Sequence, residues 1–99
     1  MAEVITDTTP TEDNSLIVLS AESWCQPCRQ FAPVFKRAAD DHDGDIKFYK
    51  IDIDNNPELA TKYNVQSVPT VIRAVDGELE RVEERRPMYF LRYVQSISE

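Results

Sequence analysis

Glycine is scarce in this chain: only Gly44 and Gly77 occur among 99 residues, and there is no low-complexity tract. Neither a flexible linker nor an internal repeat can be traced. No apolar run approaches the ~18–20 residues of a membrane span. Met1-Ala2-Glu3-Val4 lacks the basic region and apolar core of a signal peptide, so the expected compartment is the cytoplasm. Basic residues are outnumbered, 11 Lys and Arg against 18 Asp and Glu, for a net charge of −7. That balance weighs against nucleic acid and anionic membrane as partners. What remains is an ordinary globular composition, 41% apolar, sufficient for one domain over residues 1–99 with a single core.

Read in order, residues 2–6 form a short edge strand, and Asp7 to Asn14 a polar loop around Pro10. Ser15 to Ala21 has too many consecutive apolar residues to face water and is expected to be a central strand covered on both sides. From Cys25 a helical period sets in, with Cys28, Phe31, Ala32, Phe35, Ala38 and Ala39 at spacings of three and four. Pro27 falls in the first turn, where its missing N–H costs nothing, whereas Pro33 lies in the helix interior. Asp40-Asp41-His42-Asp43-Gly44 ends this helix, with Gly44 suited to a left-handed cap and His42 expected in solvent. Asp45 to Ile53 is a second strand, and Asn56-Pro57-Glu58 opens a short helix through about Lys62. Thr70 to Val75 is a β-branched strand that the Asp76-Gly77 hairpin joins to a strand over Glu78 to Glu83. Pro87 opens a last helix. The resulting order, (β)-β-α-β-α-β-β-α, predicts a mixed sheet with helices on both faces.

Both cysteines lie in Trp24-Cys25-Gln26-Pro27-Cys28, at a strand-to-helix junction. Unpaired N–H groups and the positive dipole end of a helix favour a sulfur anion there. Three chemistries use such a pair. A structural zinc site needs four ligands, and His42, the one other soft ligand, would sit about four turns down the helix. A structural disulfide closing so short a loop would constrain the unfolded chain little. Dithiol–disulfide exchange uses the spacing directly, one sulfur attacking and the other resolving the mixed disulfide. No metal site is expected.

The stretch Trp24-Cys25-Gln26-Pro27-Cys28-Arg29 resembles the thioredoxin signature. The resemblance continues through Ala32-Pro33, Asp52-Ile53-Asp54 with Asn56-Pro57, Val68-Pro69-Thr70 and Asp76-Gly77, covering about Ser15 to Ile97. It implies a three-layer α/β/α sandwich with a mixed four- to five-stranded sheet, here with a short or missing first helix. It also implies a protein-disulfide reductase with no bound cofactor, in which Cys25 is the nucleophile and Cys28 the resolving thiol. Pro69, as a cis-proline, would lie against the pair, with Val68 and Thr70 beside it. The Val68 backbone would pair with an extended target segment. Trp24, Gln26 and Pro27 would shape the motif and its contacts. Implied partners are proteins carrying disulfides and a thioredoxin-reductase-like electron donor, with the chain itself a monomer. A glutathione-coupled, glutaredoxin-like role and a non-catalytic docking module are the alternative readings.

Three departures from the family pattern stand out. Where thioredoxins bury an acid six residues before the nucleophile, this chain has Leu19, while the partner lysine is kept as Lys50. Release of the Cys28 proton is then expected to be slower, or to rely on water or Lys50. Loss of a negative charge should also favour the thiolate. Gln26 replaces the usual glycine between the cysteines. Glu83-Glu84-Arg85-Arg86 replaces a small apolar stretch, and either borders the site and narrows its targets or is a solvated strand end. The aspartates from Asp40 to Asp45 lack the spacing of a Ca²⁺ loop.

Overall fold

Val18 and its neighbours Leu16, Ile17 and Leu19 are all buried, and the strand they form is the middle of the molecule. The computed structural model describes residues 1–98. In chain order the elements are β1 (Val4–Thr6), β2 (Asn14–Ser20), α1 (Gln26–Asp41), β3 (Lys47–Asp52), α2 (Pro57–Lys62), β4 (Thr70–Val75), β5 (Glu78–Arg81) and α3 (Pro87–Ile97). The five strands lie in the order β1-β3-β2-β4-β5. β2 pairs parallel with β3 and antiparallel with β4, so the mixed sheet expected from the hairpin is present. Asp76 and Gly77 both take positive φ, 52° and 83°, the geometry of a two-residue primed turn. β5 is shorter than the sequence suggested, ending at Arg81.

Alternation along β2 sends Leu16 and Val18 to one face, Ile17 and Leu19 to the other. On the first face they meet Phe31 and Phe35 of α1, Phe48 of β3, and Phe90 and Val94 of α3. The phenylalanines meet edge-on, Phe31 against Phe90 at 5.0 Å and Phe35 against Phe48 at 5.6 Å between ring centroids. On the second face Ile17, Leu19, Tyr49, Ile51 and Ile72 pack under Leu59 of α2 and Tyr63, the residue that caps its C-terminus. Among the described residues no helix lies ahead of β2. The β1–β2 connection takes part in closing this face: Thr11 bonds the Tyr49 hydroxyl through its N–H (3.3 Å) and meets it with its own hydroxyl (3.1 Å). Tyr63 donates to the Glu12 carboxylate at 2.8 Å.

His42 departs from expectation. It is 3% exposed rather than solvated, because its ring is held between Ile46 and Ser98 while its backbone N–H caps α1 by donating to the Ala39 carbonyl. The Ile46 N–H donates to Nε2 (3.1 Å), which places the ring proton on Nδ1 and aims it at the Ser98 hydroxyl (2.8 Å). Ser98 in turn donates to the Val94 carbonyl. Burial pushes the His42 pKa below its usual value. Gly44 is needed for close approach rather than for a left-handed cap: a Cβ there would lie 2.8 Å from the His42 ring. Its φ is not positive, and α1 runs on to Asp41.

Candidate redox site

β2 ends at Ser20, and the chain turns back on itself before α1 begins. The N–H groups of Trp24 and Cys25 both donate to the Ala21 carbonyl, at 3.1 and 2.8 Å. This tight turn delivers Cys25 to the N-cap position of α1, in extended geometry, with Gln26 and Pro27 in the first helical turn. Proline fits because no N–H there has an intrahelical partner to lose. As the cap, Cys25 accepts the Cys28 N–H on its sulfur at 3.2 Å. An oxygen usually occupies this position, and a thiolate would occupy it better than a thiol because it adds a charge at the positive end of the helix.

The two sulfurs are joined in a disulfide, with Cα atoms 5.2 Å apart. They have different surroundings. Cys28 is 1% exposed, and its sulfur meets the Ala21 N–H at 3.5 Å. Ala21, Ile53 and Val68 pack against the pair, an apolar setting throughout. Leu19 is fully buried on the second sheet face, and Ile53 packs against both its cluster and the cysteines. Leu19 itself brings no carboxylate to that packing. Lys50 sits on the opposite face of β3 from Ile51, and its ammonium pairs with the Glu22 carboxylate at 2.9 Å.

Cys25, 6% exposed, meets a different structure. Its sulfur lies 3.8 Å from the Val68 carbonyl oxygen, and the Val68–Pro69 peptide bond is cis. Thr70 follows as the first, buried residue of β4. Pro27, Gln30, Phe31 and Val34 of α1 make one wall of an open groove of about 670 Å³ that continues past Val68 and Pro69. The other wall is Glu83 to Pro87, so the charged stretch borders the groove beside the site. Arg85 Nη1 donates to the Pro69 carbonyl at 2.9 Å, a tether that the sequence reading missed; only the unusual charge of the stretch hinted at it. Trp24 is 60% exposed, its indole N–H held by Asp54 at 3.0 Å. Among the described residues no cluster of three or more His, Cys, Asp or Glu could hold a metal.

Comparison with known proteins agrees with this geometry. The thioredoxin family model matches residues 3–95. A thioredoxin of Staphylococcus epidermidis is 48% identical over 56 residues, 57% of this chain and 54% of that protein. One from Staphylococcus aureus is 45% identical over the same length. The chain thus spans about half the length of the curated relatives it matches. Among solved structures, a mutant thioredoxin from Halobacterium salinarum superposes with a TM-score of 0.79 at 30% identity, over 98% of this chain and 92% of that one. A Nicotiana alata thioredoxin shares the fold, with a TM-score of 0.80 at 22% identity over 99% and 95%.

Proposed function

Because the chain belongs to the thioredoxin family, we propose that it is a protein-disulfide reductase working through Cys25 and Cys28. The observation that carries this reading is a single one: the cysteine pair caps a helix and faces the Val68 carbonyl across 3.8 Å. The Cys25 thiolate, stabilised by the Cys28 N–H and the helix N-terminus, attacks one sulfur of a target disulfide. That bond breaks, the second target sulfur leaves as thiolate, and a mixed disulfide forms. Cys28 then loses its proton and attacks the Cys25 sulfur. The mixed disulfide breaks, the first target sulfur leaves, and the Cys25–Cys28 disulfide remains. Two electrons have passed from the dithiol to the target.

In this mechanism the dithiol is the carrier, so no bound cofactor enters. The target lies extended along Val68, flanked by Trp24, Gln26, Pro27, Pro69 and Thr70. Leu19 cannot take the Cys28 proton, and we assign its exit to water near the Glu22–Lys50 pair, since Glu22 follows the Ala21 whose N–H meets the Cys28 sulfur. A separate thioredoxin-reductase-like donor would return the electrons to a monomeric chain in the cytoplasm. No helix among the described residues is long and apolar enough to cross a membrane.

Insulin reduction with dithiothreitol as donor tests the reading. The wild type should accelerate precipitation of the insulin B chain, and Cys25→Ser should not. A wild type no faster than dithiothreitol alone would favour the docking-module alternative.

A further inference from the structure

Around the Gln66–Pro69 loop the surface changes sign. The groove and the recess next to it are lined by Arg81, Glu83, Glu84, Arg85 and Arg86, three cations against two anions on a chain of net charge −7. Most of these charges are already engaged. Arg86 gives Glu84 three hydrogen bonds, from its N–H, Nε and Nη2, at 2.7–2.9 Å. Its guanidinium also lies over the Tyr89 ring, 4.3 Å from the centroid. Arg81 turns to the Asn64 carbonyl at 2.6 Å. Arg85 differs from both. It spends one N–H on the Pro69 carbonyl and has no carboxylate within 4 Å among the described residues. A guanidinium carries five N–H groups, so a cation with spare donors is fixed one residue from the Val68 carbonyl that faces the Cys25 sulfur.

Resting on the disulfide-exchange reading above, we infer that this groove selects target segments carrying an acidic side chain two residues from the reacting cysteine, with Arg85 as the residue that reads it. In an extended segment, residues i and i±2 point the same way, about 6.6 Å apart. A target cysteine turned toward Cys25 therefore turns its second neighbour toward the protein as well. A carboxylate there can take two parallel bonds from Arg85; a lysine there meets a like charge. Glu83, which has no cation within 4 Å among the described residues, shares the recess with both Arg81 and Arg85, so the local balance stays positive. The overall charge repels an acidic partner at long range, so selection acts at contact rather than through faster encounter.

The test uses oxidised homodimers of a single-cysteine peptide, with Glu, Gln or Lys placed two residues to either side of the cysteine. The full chain and its Arg85→Glu, Arg85→Ala and Arg85→Lys variants would be compared by kcat/KM. The wild type should favour the Glu peptide over the Lys peptide by about threefold at low salt, and less at high salt. Arg85→Lys should keep the order, Arg85→Ala should level it and Arg85→Glu should invert it. A variant that merely loosens the Pro69 loop would slow all peptides alike and leave the ratio unchanged. The same Glu-to-Lys ratio in wild type and Arg85→Glu, or a wild type preferring Lys, overturns the inference and leaves the exchange reading standing. A wild type that reduces neither these peptides nor insulin overturns both.

Discussion

Cys25 and Cys28 are three residues apart in one chain, yet they stand against opposite kinds of wall. The inner wall, behind Cys28, is Ala21 and half-buried Ile53 with the Leu19 cluster beyond, built of apolar side chains. The outer wall, in front of Cys25, is a polar backbone edge at Val68 and Pro69 with a charged rim from Glu83 to Arg86. A family likeness fixes the sulfurs and the helix between them; the walls are where this chain is individual. In the proposed mechanism the inner wall governs where a proton can go, and the outer wall governs which target can approach.

The largest effect should come from removing the sulfurs themselves. Cys25→Ser and Cys28→Ser should each reduce insulin turnover to background, and only Cys28→Ser should accumulate a covalent adduct on a non-reducing gel. Putting a carboxyl into the inner wall comes next. Leu19→Asp should lower unfolding free energy by about 3 kcal/mol at pH 7, measured in urea, because a buried carboxylate without partners is costly. The carboxyl pKa would be raised by burial, so this loss should be smallest below pH ~4, where the lost leucine packing remains, and grow as pH rises through the unfolded-state value. The same substitution should move the rate–pH profile of Cys25 alkylation to higher pH. Unchanged stability would mean that the inner wall is more open than its packing indicates.

The outer wall should respond more mildly. Asp54→Ala frees the Trp24 indole, and KM for insulin should rise about twofold to fivefold with kcat little changed, corresponding to ~0.5–1 kcal/mol. A fall in kcat alone would show that Trp24 acts on the chemistry rather than on target binding. The smallest effect belongs to a place remote from both walls. His42 is buried neutral, with its folded pKa lowered chiefly by desolvation. Below pH ~6.5 the unfolded chain takes up a proton that the folded chain resists. Stability should therefore fall as pH drops from 7 toward 5, seen as a falling urea midpoint, and His42→Gln should flatten that slope.

Much of this architecture was legible because its signals are local. The C-x-x-C pair, Pro27 in the first turn, the Asp76-Gly77 turn and the apolar run of β2 each act over a few residues. What sequence order concealed depends on distant partners. His42 is buried through Ser98, 56 positions away, and no helical period marks that meeting. Arg85 reaches the Pro69 carbonyl only after β4 and β5 have folded back as a hairpin. Tyr49 and Tyr63, with apolar rings but polar ends, reveal only in the fold that Thr11 and Glu12 meet their hydroxyls. Burial and the Glu12 bond push the Tyr63 pKa well above its usual value, so that hydroxyl stays a donor.

The contrast between the walls is tested most directly on the reduced protein. One would add less than one equivalent of iodoacetamide at neutral pH and map the carbamidomethyl group by peptide mass spectrometry. The account predicts that Cys25 is modified well ahead of Cys28, since Cys25 takes the helix cap and is the more exposed of the two, 6% against 1%. Equal labelling, or Cys28 labelled first, would contradict it.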